Sequence, residues 1–200
     1  MRRRREPAAA DDAAVIESSR RDPERFAVLF DRHAPHIHRY LARCADRQVA
    51  DDLVAETFLA AFAKRDRYDL SYADARPWLY GIATNLVGQH RRDQARQARI
   101  RTAAPAEPAV PGHADRVAAD VTAQAMRRVL EAALASLSTG DRDVLLLIAW
   151  EQLTYQEVAR ALAIPLGTVQ SRLHRARAKV RQVLAGTDAE ATYEELTSNE

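Results

Sequence analysis

The sequence predicts an all-α protein made of two small helical domains joined by a flexible linker. Three observations carry that reading. Apolar residues recur at three- and four-residue spacing from end to end, without the sustained apolar/polar alternation of a half-buried strand. Only 6 of the 200 residues are glycine, which argues against a sheet protein rich in tight turns. The pattern lapses at "TAAPAEPAVPGH", residues 102–113, where Pro105, Pro108 and Pro111 punctuate a stretch with little to bury.

In chain order, residues 1–21 are a basic arm, Arg2 to Arg5, and a short lead-in helix. Asp22-Pro23 supplies an N-cap and first-turn proline for a helix with the stripe Phe26, Leu29, Phe30, Ala34, Ile37, Leu41. The single cysteine, Cys44, lies on the same side and reads as packing. A second helix covers about Val49 to Lys64, turning Val54, Phe58 and Ala61 inward. A third starts near Ala75 and runs into the nineties with Leu79, Ile82, Ala83 and Leu86 inward. The first domain is thus placed at 22–98 and the linker at 99–118. The second domain, 119–185, opens with Met126, Val129, Leu130, Ala133, Leu134 and Leu137, passes through "DVLLLIAW", and closes with two short helices. An acidic tail, 186–200, follows with Asp188, Glu190, Glu194, Glu195 and Glu200 and no base.

Bulk properties exclude several classes of function. The longest apolar run, Val144 to Trp150, falls far short of the roughly 20 residues of a membrane-spanning helix. The basic start is followed by no apolar segment of a secretory signal, so a cytoplasmic protein is expected. One cysteine rules out an internal disulfide framework and a multi-cysteine zinc site. His33, His36 and His38 make a poor metal site, because His36 and His38 diverge on a helix and Pro35 interrupts the segment. His90, beside Leu86, reads as a core or flanking residue. The sequence contains no Gly-rich phosphate loop, nucleophile elbow or paired catalytic acids. Neither an enzyme nor a cofactor is expected.

Charge points instead to nucleic acid. Thr154-Tyr155-Gln156-Glu157 is a capping box opening a helix to about Leu162; after Ala163-Ile164, Pro165-Leu166-Gly167 opens another, giving a helix-turn-helix layout. On that last helix Val169, Leu173, Ala176 and Val180 share one side, and Gln170, Ser171, His174, Arg175 and Ala178 share the other. Arg172 and Lys179 border the outward face on one flank and Arg177 on the other, placed for phosphate oxygens. Gln170 and Arg175 suit adenine and guanine edges, each offering a bidentate pattern in the major groove.

A helix-turn-helix alone fits many regulators, and the first domain discriminates among them. On the second helix Asp52 and Glu56 stand one turn apart, with Leu59 and Ala63, away from the buried side; like charges so placed repel weakly unless a basic partner relieves them. On the third, Trp78, Gly81, Asn85, Gln89, Arg92 and Arg96 share a face, a mixture of aromatic, amide and guanidinium groups suited to single-stranded DNA. Trp78 is equally compatible with a core position.

"DDLVAETFLAAF" at 51–62, "ARPWLYGIATNLVGQHRRD" at 75–93 and "DVLLLIAWEQLTYQEVARALAIPLGTVQSRLHRARAKVR" after the linker resemble a group IV, or extracytoplasmic-function (ECF), sigma factor of bacterial RNA polymerase, in the sigma-70 family, over about residues 22–185. The resemblance implies that the first domain is sigma region 2, which binds core polymerase and the −10 element. The second is then region 4, which docks on the −35 element. It implies polymerase contacts, to the β′ clamp helices, by Asp51, Asp52, Glu56 and Leu59, with the β flap as a further contact of the factor. It implies −10 contacts by Ser71, Tyr72, Asp74, Arg76, Trp78, Asn85, Gln89, Arg91 and Arg92, the loop Leu70 to Asp74 helping to hold a base flipped from the nontemplate strand. It implies −35 contacts by Thr168, Gln170, Ser171, Arg172, His174, Arg175, Arg177 and Lys179. An anti-sigma factor is an expected partner, and no membrane insertion is expected.

Three positions depart from the family pattern: Ala55 replaces a usual glutamine, Ala163 a frequent turn glycine, and Gln170 a common lysine or arginine. If residue 163 needs positive φ, its Cβ strains the turn by about 1 kcal/mol. About 20 extended linker residues reach at most roughly 65–70 Å, close to two turns of B-DNA at about 34 Å each. The rival reading is a stand-alone helix-turn-helix regulator, which has no use for the Asp52–Glu56 face and the Trp78 stripe together.

Overall fold

The computed structural model describes residues 11–45, 47–102 and 129–197, and among them no strand occurs. The basic arm, Met126 and the proline-rich stretch from 103 onward lie outside the described residues. By internal contacts the chain divides into two compact units. One runs to Arg96 and includes Gln156–Ile164; the other comprises Gln97–Tyr155 and Pro165 onward.

In the first unit α1 spans Asp12–Ser19, capped by Asp11, whose carboxylate accepts the Ala14 N–H at 2.8 Å. Pro23–Phe26 forms a separate 3-10 turn instead of the first turn of the next helix. Asp22 makes no side-chain cap there; its carboxylate pairs with Arg25 Nε at 3.1 Å. Helix α2, Ala27–Cys44, runs through Pro35 without a break, contrary to the sequence expectation, and its buried stripe spans that proline. Helices α3, Arg47–Lys64, and α4, Arg76–Thr102, complete the bundle, α4 extending past the expected linker boundary at 99.

The core consists of Leu29, Ile37, Tyr40 and Leu41 from α2, Leu53, Phe58 and Ala61 from α3, and Leu79, Tyr80, Ala83 and Val87 from α4. Full burial of each larger side chain contributes about 1.5–3 kcal/mol. Tyr40 and Tyr80 meet edge to face at 5.4 Å, and the Tyr40 and Thr84 hydroxyls bond at 2.8 Å, so the buried phenol is satisfied. Phe30, expected inside, is 43% exposed while its ring meets Phe58 at 4.8 Å. Leu86 is half-buried, and Val87 takes the inward place expected of it.

Helix α7, Tyr155–Leu162, begins directly after Thr154, where the capping box predicts. Ala163 has φ 52°, the left-handed conformation suspected from the missing glycine. Within the first unit Ala161 lies against Gly81, where an added Cβ would stand 2.3 Å from the Ala161 carbonyl oxygen, an approach only glycine permits.

The second unit holds α5, residues 129–135, α6, Thr139–Ala149, and α8, Leu166–Thr197. Arg142 closes the end of α5, donating to the carbonyls of Leu134 at 2.8 Å and Ala135 at 3.2 Å. Ser138 caps α6 by accepting the Asp141 N–H at 3.2 Å. Ala133, Leu137, Val144, Leu146, Leu147, Val169, Leu173 and Ala176 form the core; Leu130 is exposed. Helix α8 continues well past the expected end near Ala185, through a proline-free stretch rich in alanine and glutamate, both strong helix formers.

Candidate nucleic-acid and polymerase interfaces

The loop before α4 is shaped by its own side chains. Asp69 accepts the Ser71 N–H at 3.0 Å, and Asp74 accepts the Arg76 N–H at 2.8 Å. Hydrogen bonds from Ser71 hold the exposed Asp69 carboxyl below its ordinary range. The Tyr68 hydroxyl donates to the Tyr72 carbonyl at 2.7 Å, and its ring lies 4.9 Å from Trp78, tilted by 56°. Burial, aided by the charges of Asp12 and Asp74, pushes the Tyr68 phenol far up, so it stays a neutral donor. Loop and helix border an open-mouthed cavity of about 310 Å³ lined by Tyr68, Asp69, Tyr72, Asp74, Pro77 and Trp78. Arg160 of α7 joins the lining, its guanidinium 3.8 Å over the Tyr72 ring.

The structure therefore gathers Tyr72, Asp74 and the half-buried Trp78 at one cavity, with Ser71 exposed on the same loop. It separates other residues of the expected stripe. Gly81 is buried against Ala161, and Asn85 is exposed farther along α4. Gln89 lines a different groove. Arg91 donates to the Cys44 carbonyl at 2.8 Å and so caps α2, a role that competes with its expected DNA contact. Arg76 lies half-buried with its guanidinium 6.0 Å from the Tyr80 ring, while Arg92 is exposed.

That second groove, about 440 Å³, runs between α3 and α4 and brings Asp52 and Glu56 together with Leu86, Gln89, His90 and Asp93. Leu59, one turn beyond Glu56, is 69% exposed, an apolar surface beside a carboxylate row. Asp51 turns elsewhere and pairs with His38 at 3.0 Å. The three histidines of α2 have separate partners: His33 bonds Asp12 at 2.7 Å, His36 bonds Arg39 at 2.8 Å, and His38 bonds Asp51.

Along α8, Val169, Leu173 and Ala176 are buried, while Gln170, Ser171, His174, Arg175, Arg177 and Lys179 are exposed and Thr168 half-exposed. Arg175 is not free-standing. Its Nη2 and Nε meet the two oxygens of Asp141, at 2.9 and 3.4 Å. Burial tends to raise the Asp141 carboxyl, but bonds from Arg175 and Ser138 and the charges of Arg175 and Arg172 hold it below its ordinary range. Arg172 lies across the start of α6, where a Cβ on Gly140 would come 2.7 Å from Nη1.

Sequence reasoning missed Tyr68, Asp93, Asp141 and Arg160. Asp93, Asp141 and Arg160 join their sites from another element, so no spacing along one helix reveals them, and Tyr68 stands at the start of the loop, outside any helical stripe.

Residues 29–97 match the family Sigma-70 region 2, and residues 127–180 match Sigma-70, region 4. The chain is 34% identical over 174 residues to the ECF RNA polymerase sigma factor SigE of Mycolicibacterium smegmatis, covering 81% of this chain and 62% of that one. It is 32% identical over 170 residues to the RNA polymerase sigma factor CarQ of Myxococcus xanthus, covering 82% of this chain and 92% of that one. Among solved structures, CnrH in complex with the cytosolic domain of CnrY aligns with TM-score 0.62 and 25% identity, covering 88% of this chain and 97% of that one. Both region signatures in order, relatives aligned across most of the chain and the helical architecture together establish that this protein belongs to the ECF sigma factors of the sigma-70 family, the initiation factors of bacterial RNA polymerase.

Proposed function

We propose that this factor assigns its surfaces as follows. The α3 face of Asp52, Glu56 and Leu59, widened by Asp93, meets the basic clamp helices of core polymerase. The cavity beneath Tyr72 and Trp78 receives a base of the nontemplate −10 strand. The exposed face of α8 enters the −35 major groove, with Gln170 and Arg175 at base edges and Arg172, Arg177 and Lys179 at phosphates. Residues 22–98 act as region 2 and 119–185 as region 4.

The cavity carries this reading. Its volume of about 310 Å³ lies at the small end of ligand pockets, about 300–1,000 Å³. It combines an aromatic wall with hydrogen-bonding edges, as capture of an unstacked base requires. The polymerase supplies all catalysis, and the factor acts in the cytoplasm, where promoter DNA is. CnrH is solved with the cytosolic domain of CnrY, which supports a protein partner for this factor, here an anti-sigma factor.

Two variants of the full chain test the assignment with core polymerase. Trp78→Ala should lower open-complex formation about tenfold or more, read by permanganate reactivity of the −10 strand, while leaving competition for core unchanged. Asp52→Lys with Glu56→Lys should abolish that competition in a protein that still melts cooperatively. Normal promoter opening by Trp78→Ala, or normal competition by the charge reversal, refutes the corresponding assignment. A stand-alone regulator would instead bind its DNA site unaided by core.

A further inference from the structure

Helix α1 precedes the residues matched as region 2, yet it grips both ends of the loop that builds the cavity. At the entrance, Arg20 Nη2 lies 3.2 Å from each of the carbonyl oxygens of Arg65, Asp66 and Tyr68. Carbonyls where a helix runs out have no partner within it; the guanidinium reaches those of Asp66 and Tyr68 and shares that of Arg65 with the Tyr68 N–H at 3.2 Å. At the exit the contact runs in both directions. The Asp12 N–H donates to the Ala73 carbonyl at 3.0 Å, and Asp12 Oδ2 accepts the Ala75 N–H at 3.0 Å. The same carboxylate is tied to α2: Oδ2 accepts from His33 Nε2 at 2.7 Å and Oδ1 from Arg32 Nη1 at 3.1 Å. Helix α1 is itself held by the buried Ala13, Val15 and Ile16.

We propose that α1 is the positioning element of the strand-capture loop, with Arg20 fixing its entrance and Asp12 its exit; this rests on the reading of the Tyr72–Trp78 cavity as the −10 base pocket. A loop left to order itself on binding loses affinity to that ordering, whereas one held in advance does not. Within the loop, backbone groups are bonded locally, by Asp69, Asp74 and the Tyr68 hydroxyl and from the Tyr72 N–H to the Asp69 carbonyl. The α1 contacts hold its ends against the bundle. Arg20 and Asp12 touch no strand in this scheme and act through the loop.

The test uses full-length protein assembled with core polymerase and, as probe, a fluorescent single-stranded oligonucleotide carrying the −10 sequence of a promoter from which this factor initiates. Arg20→Met keeps the aliphatic stem and removes the donors; Asp12→Asn removes the charge and breaks part of the latch. Each should weaken strand affinity about tenfold, speed amide exchange at Ser71 to Ala75, and leave competition for core unchanged. Arg20→Lys, with donors restored, should recover most of the affinity. Trp78→Ala serves as the reference. If it weakens strand binding and Arg20→Met does not, the positioning role fails while the pocket stands. If neither matters, the pocket reading fails and takes the positioning role with it. If Arg20→Met loses core competition and strand binding together, α1 is only a structural brace and the proposal is overturned.

Discussion

At the scale of single residues, the informative groups are those whose partners lie elsewhere in the chain. Burial tends to raise the Asp12 carboxyl, but hydrogen bonds from His33, Ala75 and Arg32 and the charge of His33 outweigh it, so it titrates below the ordinary 3.8. A carboxyl depressed in the folded state stabilises fully above its unfolded value and loses that contribution as pH falls through the folded one. Asp12→Ala should therefore destabilise by about 3 kcal/mol near neutral pH, because it strands the buried His33 and the Ala75 N–H. The gap between parent and variant should narrow as urea denaturation is repeated at pH values falling below 3.8. Arg175 offers a second case. Asp141 engages its Nε and Nη2 side-on, which leaves the Nη1–Nη2 edge for a guanine and fixes the angle at which it is presented. Asp141→Ala should relax preference at one −35 base pair by about 1 kcal/mol, seen by comparing initiation from promoters that differ only there. Equal loss on all promoters would make Arg175 a phosphate contact.

At the scale of elements, the helices lay close to where periodicity and capping place them, and the differences have local causes. The stripe Leu29, Ile37, Leu41 is buried as expected. A 3-10 turn precedes α2, and α8 continues into the acidic tail, passing Gly186 in a stretch without proline. The turn after α7 holds Ala163 at φ 52°. Ala163→Gly removes strain of about 1 kcal/mol but adds freedom to the unfolded chain worth about 0.4–1 kcal/mol, so a small net gain of about 0.5 kcal/mol at most is expected. Thermal melting is the check, and a clearly lower midpoint would mean that the turn is not strained.

At the scale of the whole molecule, the two units contribute different surfaces to one initiation factor. The acidic row and the basic helix were legible because each depends on spacing within one helix: Asp52 and Glu56 one turn apart, Val169 and Leu173 opposite Gln170 and Arg175. The resemblance added names for these faces. It also assigned Gln89 and Arg91 to the −10 strand together with Trp78. In the fold Gln89 is exposed and lines the acidic groove, and Arg91 bonds the end of α2. Helical phase says which residues share a side, but not which neighbour covers part of it.

What the sequence determined by itself is the helical class, the amphipathic faces and the family, because these depend on the local order of residue types. Only tertiary structure decided that Arg160 of α7 lines one cavity with Tyr72 and Trp78, that Asp93 meets Asp52 and Glu56 at one groove, and that α1 holds the loop before α4 at both ends. These are meetings of residues distant along the chain. Their geometry follows from how the helices bury their apolar faces against one another, which no spacing along a single helix encodes.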